Sequence, residues 1–204
     1  MEKLFWFKIT EMKQIVFVTG NQLKILHANE VLNKFGYEVV QKKAELIEPR
    51  EEDPERVVIE KATQAFEVLK TPLIVEDSGI FIAALNGFPK TMVKFAESTI
   101  GISGILKLME GKDDRSAEFR QSLAYMSSEM SAPKVFSYVD GGYRVAEKIQ
   151  DGENSYFEFN KILIPPGENK TLSTFSKEWC AKRDAQANKG NIHYEQLARW
   201  LDSL

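Results

Sequence analysis

Two short stretches of the chain carry residue types that could do chemistry together. Leu73-Ile74-Val75 reads as a buried strand and gives way to Glu76-Asp77-Ser78-Gly79, which offers two carboxylates, a hydroxyl and a glycine. Earlier, Ile15-Val16-Phe17-Val18 gives way to Thr19-Gly20-Asn21, with Lys24 one helical turn further on. Strand ends that open into glycine-containing turns are common sites of chemistry in α/β proteins. One junction supplies backbone amides, an amide side chain and a cation, and the other supplies carboxylates. Together they suit a metal-bound phosphate ester.

Each junction has a functional and a structural reading. At Thr19–Lys24, backbone N–H groups at a helix N-terminus favour an anion, Gly20 allows close approach, and Asn21 and Lys24 add a donor and a charge. The structural alternative is a tight turn with Asn21 as a cap and Lys24 in solvent. The Walker A spacing is absent. At Glu76-Asp77, adjacent residues of an extended chain point to opposite sides, so one acid can serve the site while the other makes a structural hydrogen bond. Mg2+ takes one or two carboxylates plus waters and substrate phosphates, which calls for a second acid. Glu48, in the acidic loop Glu45 to Asp53, is the leading candidate, with Glu45 behind it. Asn86-Gly87-Phe88-Pro89 reads as a turn, and Lys94 beyond it as a phosphate contact or a surface lysine.

The elements that must position these residues follow from periodicity. Ile25, Ala28, Leu32 and Phe35 mark a helix stopped by Gly36, and Tyr37 to Val40 a second strand. Val58, Ala62, Ala65 and Leu69 mark a helix from about Glu52 to Lys70, ended by Thr71-Pro72. The order strand, helix, strand, helix, strand predicts an α/β architecture. Ile80 to Ala84 fits either a continued strand or a short helix. Ile102, Ile105 and Met109 predict another helix. From Ala117 to Gln150 the pattern turns antiparallel, with Val135–Val139 and Tyr143–Ile149 flanking Asp140-Gly141-Gly142 as a hairpin signal. Ile162 to Ile164 is a short strand, and two helices are expected at about Ser173–Asn188 and Ile192–Leu204. Met12 stands just before the first strand and is a second candidate start. Residues 1–14 therefore read as an N-terminal extension to one domain over 15–204.

Bulk properties narrow the field. The 204 residues are 43% hydrophobic and 28% charged, ordinary for a globular domain. A net charge of −3 leaves no basic excess to track nucleic acid. No apolar run approaches the ~20 residues of a membrane span. The single cysteine, Cys180, can form no intrachain disulfide, and His27 and His193 are the only histidines, so no zinc cluster is expected.

Thr19-Gly20-Asn21-x-x-Lys24, the Glu48 loop, Val75-Glu76-Asp77-Ser78-Gly79, Ala84-Leu85-Asn86-Gly87-Phe88-Pro89, Lys94, Gly104-Ile105-Leu106 and Arg115-x-Ala117-x-Phe119 resemble, in order and spacing, the inosine triphosphate pyrophosphatase family. The resemblance runs from about residue 15 to 204 and is specific over the first 120 residues. It implies an elongated mixed β-sheet flanked by helices, in two lobes with the active-site cleft between them. It implies Mg2+-dependent hydrolysis of non-standard purine nucleoside triphosphates such as ITP, dITP and XTP, a house-cleaning reaction that yields monophosphate and pyrophosphate. It also implies a cytoplasmic homodimer with no nucleic-acid or membrane partner. Carried onto this chain, Thr19, Asn21, Lys24 and Lys94 would hold the triphosphate, with Ser78 beside it. Glu48 and Asp77 would position the metal and the attacking water, Asp77 as general base and Lys24 completing the catalytic set.

The second half departs from the family pattern. Where the family has Phe-Gly-Tyr/Trp-Asp, this chain has Phe157-Glu158-Phe159-Asn160. Phe157 and Phe159 keep aromatic character for stacking on a base. The base-reading Ser-His-Arg is missing, its nearest counterpart being Ala187-Asn188-Lys189, with Lys182 or Arg183 replacing the lysine before it. His193 is a packing residue or a replacement for that histidine. Asn160 can accept or donate by turning its amide, so the base preference is expected to be altered. The alternative is a catalytically weak or inactive nucleotide-binding protein of the same fold.

Overall fold

The computed structural model describes residues 12–187 and 192–204. Strand β1 (Lys13–Val18) starts two residues before the expected Ile15 and leads into α1 (Gln22–Leu32). Strand β2 (Tyr37–Lys42) and helix α2 (Pro54–Leu69) follow, then β3 (Leu73–Ile82), the two-residue β4 (Pro89–Lys90), α3 (Val93–Thr99) and α4 (Gly101–Leu108). The antiparallel section comprises β5 (Ser116–Met126), β6 (Lys134–Val145) and β7 (Leu163–Ile164). Helices α5 (Lys177–Ala187) and α6 (His193–Leu201) end the chain, each shorter than its periodicity predicts.

The described strands form one mixed sheet in the order β2-β1-β3-β5-β6-β7, with β4 beside β3. β1 pairs in parallel with β2 and β3, and the β3–β5, β5–β6 and β6–β7 pairs are antiparallel. The two lobes are thus two ends of a single sheet. Around the first end, α1 and α6 pack on one face against Phe17, Ile74 and Leu123. On the other face the buried side of α2 (Val58, Ala62, Ala65) meets Leu73, Val75, Ala124 and Met126. Ile80 and Ile82 carry β3 into the second core, with Ile102, Ile105, Phe159 and Leu163. Each such side chain, fully buried, contributes roughly 1.5–3 kcal/mol over its exposed state.

Two expectations are corrected. Asp140-Gly141-Gly142 is not a hairpin turn, because β6 runs through it. The register steps from Ala117↔Tyr143 to Phe119↔Asp140, so two residues of β6, Gly141 and Gly142, face the single Glu118 of β5. The extra residue makes a bulge, and Gly142, at φ +82°, supplies the left-handed conformation there. The β5–β6 turn lies instead in the Ser127–Pro133 segment. Second, the carboxylates do not end their strand. β3 continues through Glu76 and Asp77 to Ile82, because β5 pairs with it along its whole length, from Leu73↔Met126 to Ile82↔Ala117.

The opposite edge of β3 is interrupted. β1 pairs there only at Leu73 and Ile74, and β4 only at Ile80 and Phe81. Among the described residues no strand covers that edge from Val75 to Gly79, and the turn following β1 lies beside the gap. β4 closes the far end by close approach: a Cβ on Gly79 would stand 2.5 Å from the carbonyl oxygen of Lys90. Gly79→Ala is therefore expected to push β4 away and destabilise the protein by about 1–3 kcal/mol, measured by denaturant unfolding.

Candidate functional site

Asn21 caps α1, its Oδ1 accepting from Leu23 N at 2.9 Å, while Thr19 Oγ1 accepts from Asn21 N at 3.0 Å. Gln41 of β2, which the sequence did not single out, fastens the turn by donating to the carbonyl of Thr19 at 2.9 Å. The structural reading of this turn thus holds for Asn21 but not for Lys24. The Lys24 ammonium is turned inward, donating to the backbone carbonyl of Glu76 at 3.1 Å and lying 3.3 Å from Glu76 Oε1. A Cβ at Gly20 would meet no protein atom within 4 Å, so the packing of the chain does not itself require glycine there.

Strand alternation separates the two acids. Glu76 faces α1 and α6, where its carboxylate is also bonded by the Tyr194 hydroxyl, and His193 Nε2 lies 3.6 Å away. Burial works to raise the pKa of Glu76. The Lys24 charge first, then His193 and Tyr194, outweigh that and hold it at about 2. Burial and the Glu76 charge push the Tyr194 phenol well above its usual value, so it serves as a donor. Asp77 faces α2, with Lys61 Nζ 3.6 Å from its Oδ1. Burial raises its pKa. Lys24 and Lys61 pull it back, and Glu48 and Glu76 add to the rise. Ser78 lies two residues on from Glu76, on the Glu76 face of β3.

Lys61 was not among the predicted site residues, yet it ties the acids together. It donates to both oxygens of Glu48 at 3.1 Å while facing Asp77. The loop carrying Glu48 is clamped one helical turn away, where Gln64 bonds the backbone N–H and carbonyl of Ile47 at 2.8 and 3.2 Å. The only signal for Lys61 in the sequence was its place beside the buried Ala62. A cation already lies between Glu48 and Asp77, and Glu48 remains largely open to solvent. No cluster of three or more acid, His or Cys ligands occurs among the described residues. Two carboxylates with room for waters and phosphates fit Mg2+ better than a fully protein-coordinated ion.

The predicted base-reading residues fare differently. Phe159 is fully buried in the second core and offers no face to a base, while Phe157 packs partly buried beside it. Asn160 is 5% exposed, and its Nδ2 donates to the carbonyl of Asn154 at 3.0 Å. That bond fixes the amide, so it cannot turn freely between donor and acceptor as the sequence suggested. Lys182 is exposed on α5. Arg183 is held by both oxygens of Asp140, at 3.0 and 3.2 Å, and lies over the Tyr143 ring. Lys94 is exposed on α3, where its charge acts on Glu97. Asn188 and Lys189 lie outside the described residues. His193 and Tyr194 enter the site wall instead, beside Glu76. A groove of about 930 Å3 lies elsewhere, lined by Phe81, Lys90, Arg120 and Val139. Its cations are paired with Glu52 and Glu118, and none of Thr19, Gly20, Asn21 and Lys24 lines it.

The profile of the Ham1 family matches residues 15–187. This chain belongs to the Ham1 family. It is 36% identical over 165 residues to the dITP/XTP pyrophosphatase of Saccharolobus solfataricus, covering 81% of this chain and 83% of that protein. It is 34% identical over 191 residues to the dITP/XTP pyrophosphatase of Hyperthermus butylicus, covering 94% and 96%. In fold it is similar to the Ham1 protein of Coxiella burnetii (TM-score 0.78, 23% identity, 95% of this chain and 100% of that one). It is likewise similar to that of Staphylococcus aureus (TM-score 0.75, 23% identity, 94% and 99%). Those likenesses bear out the mixed α/β sheet expected from the motifs.

The depressed Glu76 carboxyl has a measurable consequence for this Ham1 protein. With a folded pKa of about 2 against an ordinary 4.5, its stabilisation is complete above pH 4.5 and is lost as pH falls towards 2. Unfolding free energy should fall more steeply between pH 5 and 3 in the wild type than in Glu76→Gln. By about pH 2 the wild type should have lost roughly 3 kcal/mol more of its neutral-pH stability than the variant has.

Proposed function

We propose that this protein hydrolyses nucleoside triphosphates of the non-standard purine type, dITP, ITP and XTP, to the monophosphate and pyrophosphate. The observation that carries this is the convergence of Lys24, Lys61, Glu48 and Asp77 at the uncovered edge of β3, beside the Thr19–Asn21 turn. The names of its relatives support the same reading.

Backbone amides of the turn, the Asn21 amide and Lys24 bind the phosphates. The open space over Gly20 lets a phosphoryl group approach the backbone. Glu48 and Asp77 are the residues that would hold Mg2+. When bound, that ion neutralises phosphate charge and lowers the pKa of water. Asp77 orients the attacking water and takes its proton as the new P–O bond forms and the anhydride bond joining the monophosphate to the departing pyrophosphate breaks. Before any metal binds, burial raises the affinity of Asp77 for a proton above that of an ordinary aspartate. Lys61 lies between the two acids and offsets their mutual repulsion. Positioning and charge neutralisation are the main demands of phosphoryl transfer, and these residues meet both.

Two base preferences are distinguishable. With its Nδ2 spent on Asn154, Asn160 keeps its carbonyl oxygen as an acceptor, which suits the N1–H of hypoxanthine and xanthine. An altered preference is favoured by the burial of Phe159, by Glu158 in place of glycine and by the capture of Arg183 on Asp140. Pyrophosphate release from dITP, ITP, XTP, dUTP and the ordinary NTPs, with and without Mg2+, separates them. Cleavage confined to ITP, dITP and XTP sinks the altered preference. Asp77→Asn is expected to lower kcat by at least about 100-fold, as for loss of a general base. Unchanged release would overturn the role of Asp77, and no release from the wild type would turn the assignment towards a non-catalytic nucleotide binder. Gly20→Ala should leave the unfolding free energy within about 0.5 kcal/mol. It should nevertheless cut kcat/KM, because the new methyl group stands where the phosphates approach.

A further inference from the structure

Glu76 is the acid that the catalytic scheme does not use, yet it is the more elaborately held of the two. Its side chain is 6% exposed. One carboxylate oxygen lies 3.3 Å from Lys24 Nζ and the other accepts from the Tyr194 hydroxyl, so the group cannot rotate without losing a partner. A buried ion pair is a poor means of gaining stability, since apolar residues of similar size usually do as well. Here the pair joins three elements, β3, α1 and α6, and its cation is the lysine of the phosphate turn.

A lysine ammonium has three N–H donors on a flexible four-carbon stem. The backbone carbonyl and the carboxylate of Glu76 take up two of its directions. The third is left for a phosphate, and Lys24 is still 21% exposed. Tyr194 fixes the carboxylate that does this aiming, and the hydroxyl also lies 3.5 Å from the carbonyl of Lys24 itself. His193, 2% exposed with neither ring nitrogen hydrogen-bonded, walls the carboxylate off from water.

We propose that Glu76 is a positioning residue, which acts through Lys24 by holding its ammonium towards the phosphates, with Tyr194 of α6 holding Glu76 in turn. This rests on Lys24 being a phosphate contact. An arrangement of this kind makes the C-terminal helix part of the phosphate site, although α6 contributes no group to the substrate in this scheme.

The test is a pair of double-mutant cycles on pyrophosphate release from dITP: Glu76→Gln and Tyr194→Phe, each in the wild-type and Lys24→Ala backgrounds. Glu76→Gln is expected to lower kcat/KM about tenfold, the scale of one lost charge-assisted hydrogen bond, mostly through KM. Tyr194→Phe should lower it about threefold, a fraction of that same bond, because the carboxylate stays but loosens. Neither should lower it further once Lys24 is alanine. The same cycle read as the Kd for dITP in EDTA should show the same non-additivity without any metal. Effects that multiply in the Lys24→Ala background, or a Glu76→Gln protein as active as wild type, would overturn the proposal. Tyr194→Phe removes a single hydroxyl and keeps the test available where Glu76→Gln fails to fold. A wild-type protein that releases no pyrophosphate from dITP or any other triphosphate would instead refute the proposed function.

Discussion

Successive residues of a strand face opposite sides of the sheet, and β3 carries that rule straight through the acidic pair. Because the strand does not end at Val75, Glu76 is committed to the α1/α6 side and Asp77 to the α2 side. Each acid therefore needs its own cation, and each has one: Lys24 on the first side and Lys61 on the second. The uncovered edge between Ile74 and Ile80 brings the two sides together, since only there can one ligand reach groups from both faces.

The energetics of the two acids diverge for the same reason. Both are desolvated, which by itself favours protonation. Glu76 recovers more than it loses, because a lysine and a phenol close on it from two helices, and it stays ionised far into acid. Asp77 recovers less. Its lysine is shared with Glu48, and the negative charges of Glu48 and Glu76 lie near, so its affinity for a proton stays raised. One residue is thus a fixed anion and the other is suited to receive a proton, although they are neighbours in sequence. Their environments, not their residue types, divide the work.

The far half of the molecule is held by different means. Phe159, Ile162 and Leu163 pack with Ile80 and Ile82, so the segment nearest the expected base pocket is also core. A residue that supports a core has little freedom to double as a stacking platform. Asn160 is bound to the neighbouring Asn154 carbonyl, and Arg183 is locked on Asp140. The chain therefore builds the proposed phosphate end from largely buried, paired charges with only Glu48 open to solvent, and the proposed base end from groups largely committed to the frame itself.

Much of this was legible in the sequence, for identifiable reasons. Hydrophobic periodicity gave the alternation of strands and helices, since burial of one face is a local pattern. The residue types at Thr19–Lys24, Glu48 and Glu76–Gly79 pointed to phosphate and metal because anions and cations need few, specific partners. Alternation along an extended chain already separated Glu76 from Asp77. The continuation of β3 was not legible, because a Glu-Asp-Ser-Gly run resembles a strand end and only pairing with β5 keeps it extended. Nor was the bulge at Asp140–Gly142, where the turn chemistry is genuine but the flanking register overrides it. No motif marked Lys61 or Tyr194, and His193 was marked only for the base, as each gains its meaning from a partner up to 118 residues away. Sequence determines which groups are available and which face of its own element each one takes. Which cation meets which acid is decided only when helices distant in the chain are packed against the sheet, because electrostatic pairing depends on separation in space and burial.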